Sequence, residues 1–320
     1  MTKSSIEWTE HTWNPTKGCT IKSPGCAKCY AMKLARRLEA MGQVDYAGTT
    51  QVVNGNTVWT GKINLAPEAT LLQPLKRKKP TTYFVNSMSD LFHEDIPDDV
   101  IDRVFAVMAL APQHTFQVLT KRAARMNRWF APFDARRADS LGAKVLELGY
   151  REPLELLPWP LPNVWLGVST ERQQEYDERA PLLRDTPAAV RFFSMEPLIG
   201  PVVAPYLGDW VIVGGESGNG ARPMHPDWAR SLRDQCAAAG VNFFFKQWGA
   251  WETRYDRDQH DPDWRRCDEV SQWPNSQWLN LAGGQGFHGE RVVRVSKVGK
   301  ANAGRMLDGV EYNGMPEARS

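Results

Sequence analysis

The sequence predicts an α/β protein, a partial (β/α) TIM-like barrel, and three observations carry that prediction. Six apolar runs of strand length recur: Thr82–Val85, Thr115–Leu119, Val164–Val168, Val190–Phe193, Trp210–Val213 and Val241–Phe245. Segments of helical pattern separate most of them, and near-continuous apolar strands spaced by helices imply a parallel sheet covered on its outer face. Every run also ends in polar or charged residues, and in parallel α/β architectures the ligand site lies at the carboxyl ends of the strands.

Taken in order, a weak strand around Thr12-Trp13-Asn14 is followed by the loop Cys19-Thr-Ile-Lys-Ser-Pro-Gly-Cys26-Ala-Lys-Cys29-Tyr30. Pro24-Gly25 supplies a turn there. Ala31 to Met41 is made of strong helix formers, and Leu34, Leu38 and Met41 fall at the spacing of one buried face. Gln51 to Thr60 reads as two short β runs around Asn54-Gly55, a hairpin insertion at about 50–66. Helical patterns then cover Asp98–Leu110, Arg122–Phe130, Ala138–Leu148, Glu171–Leu183 and Asp227–Ala239. The gap from Pro197 to Gly208 holds three prolines and two glycines, so that crossover reads as a loop. The barrel is expected over residues 1–250, and 251–320 is expected to be an irregular carboxyl-terminal extension packed on it.

The residues that close the six runs are Asn86-Ser87-Met88-Ser89-Asp90, Thr120-Lys121-Arg122, Ser169-Thr170-Glu171, Ser194-Met195-Glu196, Gly214-Gly215-Glu216-Ser217 and Lys246-Gln247-Trp248. One polar ending is ordinary turn chemistry. Six in succession mark a rim, and the cysteine loop, following the first weak strand, belongs to the same rim.

Composition sets outer bounds. Of 320 residues, 42% are hydrophobic and 24% charged, with no apolar run long enough to span a membrane. The amino terminus lacks an apolar secretory stretch, and five cysteines with three clustered do not suit a disulfide framework, so a reducing cytoplasm is expected. A net charge of +2 argues against coating nucleic acid by bulk electrostatics. Lys76-Arg77-Lys78-Lys79 and Lys121-Arg122 are local basic spots, read first as solvated faces. Thirteen tryptophans are more than usual, several in polar loops where an aromatic lines a pocket as readily as it fills a core.

Cys19, Cys26 and Cys29 admit three readings. Three thiolates on one loop suit a [4Fe–4S] cluster with one open iron, or a zinc ion completed by His11, Cys236 or Cys267. They can also be three unliganded thiols of a reducing compartment. Cys236 falls on one helical face with Trp228 and Leu232 and reads as core. Cys267, in a polar stretch, reads as without a role, and His93, His114 and His225 read as surface groups near loops. No Walker loop, dinucleotide fingerprint or Ser/His/Asp signature is present.

With those residues in view, the sequence resembles the radical S-adenosylmethionine (SAM) superfamily in its three-cysteine loop at the start of a βα barrel. Trp13-Asn14-Pro15, Gly25-Cys26-Ala27-Lys28-Cys29-Tyr30-Ala31, Asn86-Ser87-Met88-Ser89-Asp90-Leu91-Phe92, Gly214-Gly215-Glu216-Ser217-Gly218 and Gly304-Arg305-Met306-Leu307-Asp308-Gly309 are similar to an uncharacterised three-cysteine family of phages and bacteria. The cysteine spacing departs from the superfamily's usual C-x3-C-x2-C, since six residues fill the first gap here. Gly214-Gly215-Glu216 also ends a later strand than the superfamily's Gly-Gly-Glu. What the resemblance implies is a cluster on Cys19, Cys26 and Cys29, reductive cleavage of SAM to a 5′-deoxyadenosyl radical, and a reductant protein. Glu216 or Glu196 would accept from the SAM amino group, and Lys121, Lys246 or Arg222 would pair its carboxylate. Gly214 and Gly215 would allow close approach of the ligand, with Ser169 on the same rim. Nucleic acid or a nucleotide is the expected substrate class. The competing expectation is a non-enzymatic, zinc-stabilised phage protein that binds nucleic acid.

Overall fold

In the computed structural model, residues 4–131, 135–149, 158–258, 275–285 and 291–317 are described. The chain opens with β1 (His11–Trp13) and the short β2 (Thr16–Lys17), then the cysteine loop and helix α1 (Tyr30–Ala40). The hairpin is β3 (Thr50–Val53) and β4 (Asn56–Trp59), and β5 (Asn64–Leu65) returns to pair antiparallel with β2. At the hairpin tip Asn54 and Gly55 have φ of 48° and 75°. Two successive left-handed residues are what a two-residue type I′ turn requires.

Two one-turn helices, α2 (Glu68–Leu71) and α3 (Gln73–Lys76), precede β6 (Thr82–Val85). There follow α4 (Asp98–Ala109), β7 (Thr115–Thr120), α5 (Ala123–Phe130), α6 (Ala135–Glu147) and β8 (Val164–Ser169). The series continues with α7 (Gln173–Arg184), β9 (Val190–Met195), β10 (Trp210–Gly214), α8 (Pro226–Ala239) and β11 (Asn242–Gln247). Helix α8 starts on Pro226, with His225 Nδ1 accepting from Asp227 N at 3.1 Å, and stops at Gly240 in the left-handed region. No helix bridges β9 and β10, as the prolines of 197–208 predict.

Seven strands form one parallel sheet in the order β1-β6-β7-β8-β9-β10-β11. Apart from the β2–β5 segment between β1 and β6, chain neighbours are sheet neighbours, the singly wound order of a (β/α) barrel. β1 and β11 remain as edges among the described residues, so the barrel is partial. The carboxyl-terminal segment corrects the expectation of irregular chain. It carries β12 (Trp251–Asp258), β13 (Ser276–Asn280) and β14 (Arg291–Lys297), an antiparallel sheet in the order β12-β14-β13, and a final turn α9 (Lys300–Ala303).

The chain divides into two compact units: Met1–Val168 with Arg179–Phe192 and Glu317–Ser320, and Ser169–Glu178 with Phe193–Pro316. In the first, Tyr83, Val85, Phe116 and Val118 are buried on β6 and β7, and Tyr83 stacks on Phe116 at 5.5 Å. In the second, every residue of β10 is buried and Phe243, Phe244 and Phe245 fill β11. Trp8, Trp13, Trp59, Trp129, Trp165, Trp210 and Trp228 are all core residues. Helix α1 buries Ala31, Met32 and Ala35, while Leu34 and Met41 are exposed. The buried face is therefore rotated from the one that Leu34, Leu38 and Met41 suggest, and it presents small side chains to its neighbours.

Candidate metal centre

In the first unit, β1 ends directly beside the turn that follows β6. Asn86 N donates to Trp13 O at 2.8 Å, and Asn14 Oδ1 accepts from Ser87 Oγ and Met88 N at 3.1 and 3.0 Å. Thr16 N donates to Asn86 Oδ1 at 3.3 Å, and Gly18 N to Met88 O at 3.1 Å. Asn86 itself takes φ of 59°, a conformation asparagine tolerates better than most residues. Two of the sequence words, around Asn14 and around Asn86–Asp90, thus interlock to form the base from which the cysteine loop leaves.

The loop is short-range structure with its own core. Pro24–Cys26 form a 3-10 turn, with Cys26 N bonded to Ser23 O and Cys29 N to Cys26 O. Cys26 is buried; Cys19 and Cys29 are half-buried. Beneath them lies a cluster of Ala31, Met32, Ala35, Tyr46, Trp59 and Met88, against which Cys19 and Cys29 pack. The hairpin insertion supplies Trp59 to this cluster, so it supports the site.

Two of the sulfurs accept from N–H groups. Cys19 Sγ accepts from Arg122 Nη1 at 3.7 Å, and Cys26 Sγ from Lys22 N at 3.5 Å. Cys29 is the N-cap of α1 and makes no side-chain cap hydrogen bond. Burial pushes the Cys19 thiol up to about 12, Asp90 adds to this, and Arg122 opposes it. Burial also pushes the Cys29 thiol up, against the N–H groups of Ala31 and Met32 and the Lys121 ammonium. Both shifts favour the neutral thiol over the thiolate.

Lys121 and Arg122 follow β7 immediately, and the two cations act on Cys29 and Cys19 respectively. Reading Arg122 as part of a solvated basic face was wrong: its side chain is 2% exposed. Nη1 pairs with Asp90 at 3.0 Å, Nε with Glu94 at 2.6 Å, and Nη2 donates to Thr20 Oγ1 at 2.5 Å. Burial works against the charge, but the Asp90 and Glu94 carboxylates outweigh it. His93 is buried too, with Nε2 3.0 Å from Thr20 Oγ1 and Nδ1 accepting from Asp95 N at 3.2 Å. His114 and His225 are likewise buried, so none of the three histidines is the surface group expected.

The chemistry of this donor set fits a thiophilic metal or an iron–sulfur cluster, because N–H groups around thiolate sulfurs are what such centres use to settle their charge. Among the described residues no group of three His, Cys, Asp or Glu side chains is already placed to hold a metal ion. Of the fourth ligands considered for zinc, His11 and Cys236 have surroundings of their own. His11 opens β1 and contacts the Tyr83 ring, Cys236 is buried on α8 with Trp228 and Leu232, and Cys267 lies outside the described residues.

In the second unit the strand ends engage one another. Lys246 Nζ contacts both Glu196 carboxylate oxygens at 2.9 Å, and Gln247 Nε2 donates to Glu196 Oε1 at 3.0 Å. Glu216 accepts from Arg222 N at 2.8 Å, Nε at 2.9 Å and Nη2 at 2.5 Å. Glu216 and Lys246 thus have different partners, Arg222 and Glu196. The glycines serve packing: a Cβ on Gly215 would run into the Trp248 carbonyl, one on Gly214 would press on Glu196, and Gly215 N is spent on Gln247 O. Ser169 is buried at the end of β8. Thr170 and Gln247, which sequence reading passed over individually, are buried, and Thr170 Oγ1 and Gln247 Oε1 have no partner among the described residues. Only their place at strand ends could have pointed to them.

Fold and site define an α/β protein of the partial-barrel class with a three-cysteine centre at the carboxyl edge of its first sheet strands. The chain belongs to the family described as protein of unknown function (DUF5131), whose model matches residues 3–316. No curated protein and no solved structure matches it. Among the described residues no helix is long and apolar enough to cross a membrane.

Proposed function

We propose that this chain is an enzyme of the radical SAM kind, with Cys19, Cys26 and Cys29 holding a [4Fe–4S] cluster. The observation that carries the reading is the placement of three cysteines on one loop, two of their sulfurs accepting from N–H groups, at the carboxyl edge of a singly wound parallel sheet. When bound, the cluster and SAM supply reductive cleavage of the sulfonium bond, with an electron from a reductant protein.

The chain's own part is to hold and shield. The cluster of Tyr46, Trp59, Met32 and Met88 keeps water from the inner side of the loop. Lys121, close enough to act on Cys29, is the cation best placed to pair the SAM carboxylate. Glu216 and Arg222, each a candidate cofactor contact by sequence, satisfy each other and are better read as closing their own loop. Glu196 and Lys246 are paired in the same way.

The basic run Lys76–Lys79 precedes β6, at the amino end of that strand and away from the rim, so it lends no support to a nucleic-acid or nucleotide substrate. We therefore propose the cofactor chemistry without a substrate class. Incubating reconstituted protein with dithionite and SAM tests it: 5′-deoxyadenosine or methionine should accumulate in the wild type and not in Cys26→Ala. Intact SAM after reduction of an iron-loaded protein would overturn the reading.

A further inference from the structure

We propose that Arg122 is a positioning residue for the metal centre, fixing Cys19 in the place from which its sulfur binds iron. This inference rests on the cluster reading above.

Asp90 does not need the guanidinium for its hydrogen bonds. Its Oδ1 accepts from Phe92 N at 3.1 Å and Thr120 Oγ1 at 2.6 Å, and its Oδ2 from Lys121 N at 3.0 Å. A buried arginine costs free energy unless its donors are used, and here the planar fork is used across two segments. On one side stand Asp90 and Glu94 of the turn after β6; on the other stand Cys19 and Thr20, two successive residues of the cysteine loop. Cys19 is the ligand set apart by six residues from Cys26, and Cys26 and Cys29 are already tied by the Cys29 N to Cys26 O bond. Arg122 supplies the corresponding tie for Cys19. A lysine has one point of charge and cannot span Asp90, Glu94, Thr20 and a sulfur together.

The test uses two variants. Arg122→Lys keeps a cation beside Asp90, and the double variant Arg122→Met with Asp90→Asn removes both buried charges at once. Wild type and variants are reconstituted anaerobically, their folding is followed by circular dichroism, and iron release to bathophenanthroline is timed. Groups one step behind a metal ligand are worth roughly 10–100-fold in metal affinity, so both variants should release iron at least about tenfold faster than wild type. Because Asp90 and Arg122 act on Cys19 in opposite senses, removing both leaves the local charge balanced, so the reduction midpoint of the double variant should stay close to that of the wild type while iron is lost faster. If the wild type holds iron and the variants hold it equally well, Arg122 merely pairs Asp90 and the inference fails while the cluster reading stands. If the wild type takes up no iron, both fail.

Discussion

Gly18 stands against the backbone carbonyl of Lys62, so closely that any Cβ at Gly18 would collide with that oxygen, and its φ of 92° is one that L residues rarely adopt. The residue before the first cysteine is therefore clamped by the end of the hairpin insertion. Gly18→Ala should cost roughly 2 kcal/mol or more in chemical denaturation, from strain and displacement together. Gly42→Ala is the comparison, since Gly42 has φ of 83° but nothing within 4 Å of an added Cβ. Equal losses at the two positions would mean that the Gly18 contact carries no weight.

Glu216 accepts three N–H groups from Arg222 and is buried, so its carboxylate holds the 216–222 loop closed. Glu216→Gln should lower the melting temperature, with a loss of about 1.5–3 kcal/mol, the usual worth of hydrogen bonds to a charged group. An unchanged melting temperature together with weakened SAM binding would restore Glu216 to the cofactor site.

The imidazoles set a pH dependence. Burial pulls both His93 and His114 below the ordinary imidazole value; Arg122 adds to this at His93, while the Pro74 carbonyl opposes it at His114. With folded values depressed, the unfolded chain takes up protons first as pH falls. Stability is therefore full above the ordinary imidazole range and declines as the pH drops through it towards the depressed folded values. Denaturation midpoints measured from pH 8 to pH 5 should fall, and His114→Gln should flatten part of that slope. Glu94 and Asp308, whose carboxyls lie low, add their own loss only at more acid pH. A midpoint that rises on acidification would contradict the burial of these rings.

Cys236 behaves as core. Burial alone pushes its thiol up to about 12, and it packs on α8 with Trp228 and Leu232. Cys236→Ser should cost stability in an iron-free melt yet leave metal content untouched. Loss of metal would place this thiol in the ligand set.

Much of the architecture was legible because its signals are local. The alternation of apolar runs with helical segments gave β6 to β11, and Asn54-Gly55 gave the hairpin with its turn type. The cysteine loop was legible from spacing alone. The roles of Arg122 and the histidines were not, since a charged or titratable side chain reads as surface until tertiary partners such as Asp90, Glu94 or Thr20 are known. The helix face of α1 was misread because apolar periodicity favours large residues, whereas the packing against Trp59 and Met88 wanted Ala31 and Ala35. β12 to β14 escaped notice because their residues alternate with charges, as in Arg291 to Lys297, rather than forming continuous apolar runs. Which rim groups pair, Glu216 with Arg222 and Glu196 with Lys246, is a matter of register and bulge at Val213/Gly214 that spacing does not reveal.

The account turns on whether the three cysteines hold a cluster, and elemental analysis of protein purified without oxygen tests that most directly. Wild type should be brown and, after reconstitution, contain about four irons and four sulfides per chain, as a cubane with one open iron requires. Cys19→Ala, Cys26→Ala and Cys29→Ala should each lose the iron, and Cys236→Ala should keep it. Stoichiometric zinc without iron in the wild type, or iron that survives loss of any of the three loop cysteines, would contradict the account.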